Sequence, residues 1–338
     1  MSRLKTPLHG GDIYGAAREL NREPTEIVDF SASINPLGPS PHVWKAITSS
    51  KHVLHHYPDP ECWDLRHALA QFWNLDPDRI VVGNGSTELI EVLPRALGIE
   101  RLLLVRPAFS GYAEAMQRAG GHVATLYADR TDHYAIPIDK LCRVMETGRI
   151  DGRSIDGVIV GHPNSPTGQA CSAGEIDRLA RAARKRRLWL ILDEAFADYC
   201  PERSILPQAT SWPHVIVLRS MTKFYALPGL RVGYAVATPL VVGRLRRQLP
   251  PWSISMMGQI AAVAALKDAA HAQKSLRFMA RERERLRTLL TALPGCVVMP
   301  TCANYFLVEL PRGWHARDMT ERVRRHSLLI RDCSSVPG

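Results

Sequence analysis

The most constraining feature of this sequence is a regular alternation of short apolar runs with longer amphipathic stretches, from about residue 79 to residue 237. The amphipathic stretches, such as 110–119 and 173–187, repeat apolar residues at helical spacing. Strands that alternate with helices are typical of a mainly parallel sheet covered by helices on both faces, an α/β fold. The runs expected to form its strands are 79–83, 101–105, 122–127, 157–161, 188–192, 214–218 and 231–237.

The chain of 338 residues is long enough for one large domain and a smaller one. We expect the sheet to form the core of a large domain over residues 51–250. Basic helical segments and strand-like runs then indicate a small α+β domain over 251–338, to which an N-terminal arm, residues 1–50, also contributes. The strand-like runs of the small domain are 296–299 and 304–310.

Composition limits the kinds of protein this chain can be. Its net charge of +10 is spread over basic clusters with helical periodicity, which indicates solvated helix faces rather than one groove for nucleic acid. No apolar run reaches the roughly 20 residues that a membrane span needs, and no signal-peptide core is found near the start. The seven cysteines are scattered without metal-binding spacing. We therefore expect a cytoplasmic protein without a nucleic acid, membrane or metal partner.

A single lysine, Lys223, lies in unusually apolar surroundings. It follows the apolar run 214–218 and is flanked by Met221, Phe224 and Leu227. Partial desolvation lowers the pKa of a lysine and makes its amine a usable nucleophile toward a carbonyl. Taken alone, the same pattern also fits a lysine that extends its charged end to solvent from the end of a strand.

Other candidate ligand-binding side chains are expected at the same edge of the sheet as Lys223. In parallel α/β sheets, ligands bind at the carboxyl ends of the strands. The loops that follow the predicted strands carry an aromatic ring at Phe109, an amide at Asn164 and a carboxylate at Asp193. We therefore expect these loops and Lys223 to converge on one ligand site.

A second candidate feature is the glycine turn that opens a predicted helix ending near residue 97. Gly85 precedes two hydroxyl residues, Ser86 and Thr87, at the start of this helix. Free backbone N–H groups and the helix dipole make such a start an anion site. An ordinary helix cap formed by Ser86 or Thr87 fits the local sequence equally well.

The stretch around Lys223 also carries Ser220 and Arg231. This arrangement resembles the signature of the fold type I, aminotransferase-like enzymes that use pyridoxal 5′-phosphate, and the resemblance extends over nearly the whole chain. It implies a large α/β domain, a smaller α+β domain and a homodimer. It also implies that Lys223 binds the cofactor covalently, that Asp193 keeps the pyridine nitrogen protonated, and that Phe109 stacks on the ring.

The resemblance implies further binding roles at matching positions. Tyr57 would reach the cofactor of a partner subunit, while His9 and Arg331 would face the substrate, at its phosphate end. The residues that would hold the cofactor phosphate are Gly85, Ser86, Thr87, Ser220 and Arg231.

Two positions depart from the family pattern. Ser165 stands where the family usually has an asparagine that contacts the ring oxygen. The Ser165 hydroxyl and the neighbouring Asn164 are therefore both candidates for that contact. Ser33 stands where the related decarboxylases carry a substrate-facing asparagine, and we expect it to face the substrate.

A narrower resemblance is to the threonine-phosphate decarboxylases of cobalamin biosynthesis. It implies decarboxylation of L-threonine O-3-phosphate to (R)-1-amino-2-propanol O-2-phosphate. Histidinol-phosphate aminotransferases share the same cofactor residues, so transamination stays open as the alternative. The narrower resemblance rests on Phe196, where the transaminases usually have tyrosine, and on the stretches 9–11, 29–38, 193–196, 222–231 and 329–333.

The last expectation concerns the end of the sequence, Gly338. Chains of the resembling family normally continue with a strand whose arginine binds the substrate carboxylate. A charge-assisted, bidentate hydrogen-bonded contact of this kind contributes strongly to substrate binding. We therefore expect a chain without that strand to bind the cofactor but to be impaired in catalysis, and an impaired cofactor-binding relative is a further alternative.

Overall fold

The computed structural model describes residues 10–209, 212–334 and 336–337. Every helix in these ranges is too short or too polar to cross a lipid bilayer. The helices are α1 (Ile13–Leu20), α2 (Pro41–Ser49), α3 (Trp63–Trp73), α4 (Gly85–Leu97), α5 (Gly111–Arg118), α6 (Ile138–Thr147), α7 (Ala173–Arg186), α8 (Leu206–Ala209), α9 (Pro239–Arg246), α10 (Met256–Leu266), α11 (Ala269–Thr291) and α12 (Ala316–Arg324).

Within the described residues, the strands pair into one large sheet and three two-stranded ones. They are β1 (Val28–Asp29), β2 (Ile80–Asn84), β3 (Arg101–Arg106), β4 (His122–Tyr127), β5 (Arg149–Ile150), β6 (Arg153–Ser154), β7 (Gly157–Gly161), β8 (Trp189–Asp193), β9 (Val215–Ser220), β10 (Val232–Val236), β11 (Val297–Val298), β12 (Val308–Glu309) and β13 (Leu328–Leu329).

The large sheet has seven strands in the order β2–β10–β9–β8–β7–β3–β4. All neighbours are parallel except at β10, which runs antiparallel to both β2 and β9. The predicted α/β class with a mainly parallel sheet is confirmed. Each predicted strand of this sheet is found within about two residues of its expected ends, the accuracy that local patterns allow.

Helices cover both faces of the sheet, which explains why its strands are almost continuously apolar. Successive side chains of a strand point to opposite faces. Leu103 of β3 accordingly packs into one core with α3, α6, α7 and α10, whereas Leu104 packs into the other with α4, α5 and α9. Both leucines are almost completely buried. These two cores fix the strand ends, and therefore the loops that follow them, relative to one another.

Segments near the two ends of the described chain meet in a small parallel pair, β1 and β13, with Asp29 opposite Leu329. Leu329 also packs in one buried cluster with Ala16 and Ala17 of α1. The pairing brings part of the N-terminal arm together with the C-terminal segment. The division of the chain into domains stays a prediction.

The two strands predicted for the C-terminal segment are shorter than expected. In the described residues their ladder is limited to Val297–Val298 and Val308–Glu309. The residues just before β12 have other contacts, because Asn304 Nδ2 donates a 2.9 Å hydrogen bond to the backbone oxygen of Ser33. Tyr305 Oη donates at 2.7 Å to a backbone carbonyl in the loop after β7. This stretch therefore joins the loops of the large sheet instead of extending the ladder.

Candidate active site

A cavity of about 270 Å³ lies at the carboxyl ends of the parallel strands. Loops after β3, β7, β8 and β9 form its walls together with the start of α4. The structure brings most of the predicted site residues to this cavity, and their individual roles stay predictions. Those that line it are Ser33, Ser86, Thr87, Phe109, Ser165, Asp193, Ser220, Lys223, Arg231 and Arg331.

Lys223 lies on the turn after β9 and its amine is turned inward, not to solvent. Its Nζ donates a 3.1 Å hydrogen bond to the backbone oxygen of Ala32. Burial, followed by the positive charges of Arg231 and Arg331, lowers the pKa of Lys223 to about 8. With such a pKa, roughly a tenth of the amine is neutral at pH 7, which makes it an effective nucleophile.

Asp193 ends β8 and is buried, with 7% of its surface exposed. Its Oδ2 accepts a 2.7 Å hydrogen bond from Tyr112 Oη, and its Oδ1 accepts one of 3.0 Å from the backbone N–H of Ala195. Burial raises the pKa of Asp193, whereas the hydrogen bonds from Tyr112 and Ala195 lower it. The donors therefore support a buried carboxylate that can hold a protonated ring nitrogen.

Tyr112 is a site residue that the sequence analysis missed. It lines the cavity beside Phe109, with ring centroids 5.5 Å apart and an interplanar angle of 82°. Phe109 lies two residues before α5 begins, and Tyr112 lies in the first turn of that helix. The signal that could have identified Tyr112 is its place directly after the loop that follows β3, at the carboxyl end of a parallel strand.

The start of α4 has the properties of an anion site. Gly85 has a φ of +73°, and the N-cap residue, Asn84, makes no side-chain cap hydrogen bond. The ordinary cap by Ser86 or Thr87 does not form, since both residues lie inside the helix. A Cβ atom at Gly85 would lie 2.5 Å from Nη2 of Arg231. A guanidinium therefore lies beside uncapped helical N–H groups, an arrangement suited to phosphate.

Ser220 is the last residue of β9 and lines the same cavity. Its Oγ lies 2.7 Å from Oγ1 of Thr222, so the two hydroxyls form a hydrogen bond. Thr222 also lines the cavity, and the sequence analysis assigned it no role. The hydroxyls of Ser220 and Thr222 thus lie on the wall of the same cavity as Arg231.

The structure separates the two candidates for the ring-oxygen contact. Ser165 lines the cavity, but Asn164 does not. Asn164 Nδ2 instead donates hydrogen bonds to the backbone oxygen of Pro107 at 2.8 Å and to Thr167 Oγ1 at 2.9 Å. The Asn164 side chain therefore joins the loops after β3 and β7, and Ser165 is the candidate that faces the cavity.

The structure describes two of the three predicted substrate residues, Ser33 and Arg331. Arg331, two residues after β13, and Ser33 both line the cavity. Ser31 borders it as well, and its Oγ accepts a 2.8 Å hydrogen bond from the backbone N–H of Gly11. The N-terminal arm therefore passes close to the cavity wall. His9 lies outside the described residues.

Tyr57 does not line the cavity. It is 79% exposed, and its ring contacts that of Trp252 with centroids 4.9 Å apart. An exposed aromatic pair suits a protein interface, where such rings often anchor the contact. The role of Tyr57 toward a partner subunit's cofactor stays a prediction.

Residues 25–336 match the family described as aminotransferase class I and II. The chain belongs to this family. Threonine-phosphate decarboxylase of Salmonella typhimurium is 34% identical to this aminotransferase-family chain over 332 residues, which are 98% of the chain and 89% of that relative. Histidinol-phosphate aminotransferase of Anaeromyxobacter sp. is 32% identical over 91% of the chain and 83% of that relative. The crystal structure of L-threonine-O-3-phosphate decarboxylase from Porphyromonas gingivalis superimposes with a TM-score of 0.79, at 26% identity, over 92% of this chain and 91% of that one.

The chain is therefore a fold type I enzyme, and its cofactor is pyridoxal phosphate. The cavity fits this cofactor. Lys223 offers a partly neutral amine for its aldehyde, and Asp193 a buried carboxylate for its pyridine nitrogen. Phe109 offers a ring face, and the uncapped start of α4 beside Arg231 suits its phosphate.

Proposed function

We propose that this enzyme decarboxylates L-threonine O-3-phosphate to (R)-1-amino-2-propanol O-2-phosphate, a step of cobalamin biosynthesis. The observation that carries the proposal is a second arginine, Arg331, on the wall of the cavity that holds Lys223. The Arg231 guanidinium lies beside Gly85 at the start of α4, where the cofactor phosphate is expected. Arg331 is therefore available to a phosphate on the substrate. The similarity to a threonine-phosphate decarboxylase along 98% of the chain supports decarboxylation as the reaction.

When bound, pyridoxal phosphate supplies an electron sink for the bond that breaks at the substrate Cα. Asp193, supported by Tyr112, keeps the proton on the ring nitrogen that this sink needs. Phe109 supports one ring face, and Arg331 orients the substrate through its phosphate. Orientation matters because the bond that is held perpendicular to the ring is the bond that breaks.

Loss of CO2 leaves an electron pair at Cα that must receive a proton. Lys223 is a cavity amine whose pKa of about 8 allows it to give and take a proton near neutral pH. We assign to Lys223 Nζ the proton that is delivered to Cα. The net reaction consumes one proton and releases one CO2 for each amine formed.

The Arg331 assignment is tested with Arg331→Met and two substrates, L-threonine O-3-phosphate and L-threonine. The variant should raise KM for the phosphorylated substrate by about 10- to 100-fold and leave L-threonine almost unaffected, because a charge-assisted contact is lost. Arg317→Met, on the exposed side of α12, is the matched control. Equal losses for both substrates would contradict the assignment.

A second candidate function is transamination of histidinol phosphate or a similar phosphorylated amine. The 32% identity to a histidinol-phosphate aminotransferase favours it, and both reactions use the same cofactor residues. Transamination requires a 2-oxo acid and releases no CO2. Formation of glutamate from histidinol phosphate and 2-oxoglutarate would identify this activity.

We also infer that the enzyme acts as a homodimer in which Tyr57 contributes to the partner's site. The exposed contact between Tyr57 and Trp252 supports this arrangement. Light scattering should give twice the mass of the 37.7 kDa chain, and Tyr57→Ala should weaken cofactor binding. A monomeric enzyme with full activity would contradict the inference.

A further inference from the structure

Three charged side chains form a buried cluster beneath the active-site cavity. Arg219 Nη1 lies 2.8 Å from Glu194 Oε2, and Nη2 lies 2.5 Å from Asp198 Oδ1. The side chains are 2%, 0% and 9% exposed, respectively. None of the three lines the cavity. Burying charges is costly unless their geometry is good, so the cluster needs an explanation beyond stability.

The members of the cluster are held on several sides. Glu194 also accepts hydrogen bonds from Ser204 Oγ at 2.6 Å and from the backbone N–H of Ile205 at 2.9 Å. The Arg219 guanidinium lies over the ring of Trp73, 4.8 Å from its centroid. Burial alone lowers the pKa of Arg219, but the carboxylates, Asp198 foremost, raise it above its ordinary value. The guanidinium therefore stays charged, and its planar N–H groups donate to the carboxylates of both Glu194 and Asp198.

The position of the cluster in the chain connects it to the cavity. Glu194 directly follows Asp193, and Arg219 directly precedes Ser220. Arg219 and Ser220 are neighbours in β9, so their side chains point to opposite faces. Glu194, the first residue after β8, is ion-paired with Arg219, and the pair therefore lies behind Asp193 and Ser220, which line the cavity. The backbone N–H of Glu194 also donates to the backbone oxygen of Leu218 at 2.9 Å. The ion pair thus joins the ends of β8 and β9.

The second carboxylate extends this connection to the loop after β8. Asp198 lies in a short 3-10 helix, Ala197–Tyr199, and the loop that contains it also carries Phe196 on the cavity wall. Short 3-10 turns have weak hydrogen bonding of their own. The backbone bonds of this loop are local, such as those from Ala197 N to Glu194 O and from Tyr199 N to Phe196 O, both at 3.1 Å. The bond from Arg219 to Asp198 adds a restraint that ties the loop to β9.

We propose that Arg219 is a positioning residue that fixes Asp193, Ser220 and the loop after β8 relative to one another. It acts through Glu194 and Asp198 and does not contact the cofactor. The proposal depends on the cofactor assignment and is independent of which substrate the enzyme uses. Its test therefore measures cofactor binding without any substrate.

The test compares Arg219→Lys with the control Arg118→Lys, which alters a solvent-accessible ion pair between Arg118 of α5 and Glu91 of α4. Lysine keeps the charge but lacks the rigid planar guanidinium with which Arg219 donates to both carboxylates in a fixed geometry. We expect Arg219→Lys to bind pyridoxal phosphate about tenfold more weakly and to shift the pH midpoint of the bound cofactor's absorbance, because small displacements of site residues are costly. The control should retain the wild-type Kd. The readouts are titration of the apo-enzyme with cofactor and the pH midpoint of the bound cofactor's absorbance.

A purely structural role predicts a different pattern. Arg219→Lys would then lower Tm while the cofactor Kd and the absorbance midpoint stay at wild-type values, and this result would overturn the proposal. If Arg219→Lys does not fold, Asp198→Asn replaces it, since asparagine has the same shape. We expect Asp198→Asn to weaken cofactor binding about threefold, because a neutral acceptor binds a guanidinium less strongly. An unchanged Kd in Asp198→Asn would equally overturn the proposal.

Discussion

The Tyr112 hydroxyl donates a 2.7 Å hydrogen bond to Oδ2 of Asp193, across a sequence separation of 81 residues. Both side chains are buried, and burial raises the pKa of each above its ordinary value. The tyrosine therefore stays protonated and remains a hydrogen-bond donor. Its hydrogen bond stabilises the charged form of Asp193 and so offsets part of the effect of burial on this carboxylate.

Tyr112→Phe removes this donor without changing the shape of the ring. The variant should lower kcat about tenfold, because a hydrogen bond to a charged group contributes about 1.5 kcal/mol or more. Cofactor binding should weaken as well, since the carboxylate is less stabilised beside the ring nitrogen. Tyr127→Phe, at an exposed position, is the control. If both variants have the wild-type kcat, Tyr112 has no role in supporting Asp193.

A pH dependence follows from the pKa of Lys223, which is lowered to about 8. The neutral amine, the form that reacts with an aldehyde, then accumulates as the pH rises through 8. The rate at which the apo-enzyme binds pyridoxal phosphate covalently should rise to a plateau with a midpoint near that pH. Arg331→Met removes a charge that lowers this pKa, so its midpoint should lie higher. A rate that still rises steeply at pH 10 would indicate an unperturbed lysine.

A substitution in β10 tests the phosphate site without touching a candidate ligand. A Cβ atom at Gly233 would lie 2.2 Å from the backbone nitrogen of Ser86, so Gly233→Ala must displace the start of α4. We expect cofactor affinity to fall by about tenfold or more, since phosphate binding depends on the position of those N–H groups. Gly229→Ala is the control because its Cβ would meet no atom within 4 Å. Equal cofactor affinity in the two variants would place the phosphate elsewhere.

The core packing of the sheet can be tested by stability alone. Leu103 of β3 is 0% exposed, and Leu103→Ala leaves a cavity between the sheet and its helices. The free energy of unfolding should fall by about 3 kcal/mol. Leu289→Ala, on α11 with 53% exposure, should lower it by less than about 1 kcal/mol. Urea denaturation followed by circular dichroism measures both values.

The central sheet was predictable because its strands carry a local signal. Runs such as β7 and β8 are apolar on both faces and are separated by helices of suitable length, so their alternation predicts parallel neighbours. The meeting of Asp193 and Lys223 at one sheet edge follows from the same rule. The antiparallel direction of β10 has no such local signal, since it depends on pairing with β2, far away in sequence.

The parts of the site that sequence reasoning missed depend on contacts between distant residues. Asn164 was one of two candidates because its sequence position does not show that its side chain turns to Pro107. In the sequence, Arg219 looks like an ordinary strand residue. Its partner Glu194 lies 25 positions earlier in the chain, and only the fold brings the two together. Such partners follow from tertiary packing, which local periodicity does not encode.

The most direct test of the proposed function follows CO2 from L-threonine O-3-phosphate labelled at its carboxyl carbon. The purified enzyme, loaded with pyridoxal phosphate and given no 2-oxo acid, should release one labelled CO2 for each amine formed, and Lys223→Ala should release none. Absence of labelled CO2, together with glutamate formation from histidinol phosphate and 2-oxoglutarate, would contradict the decarboxylase and identify an aminotransferase.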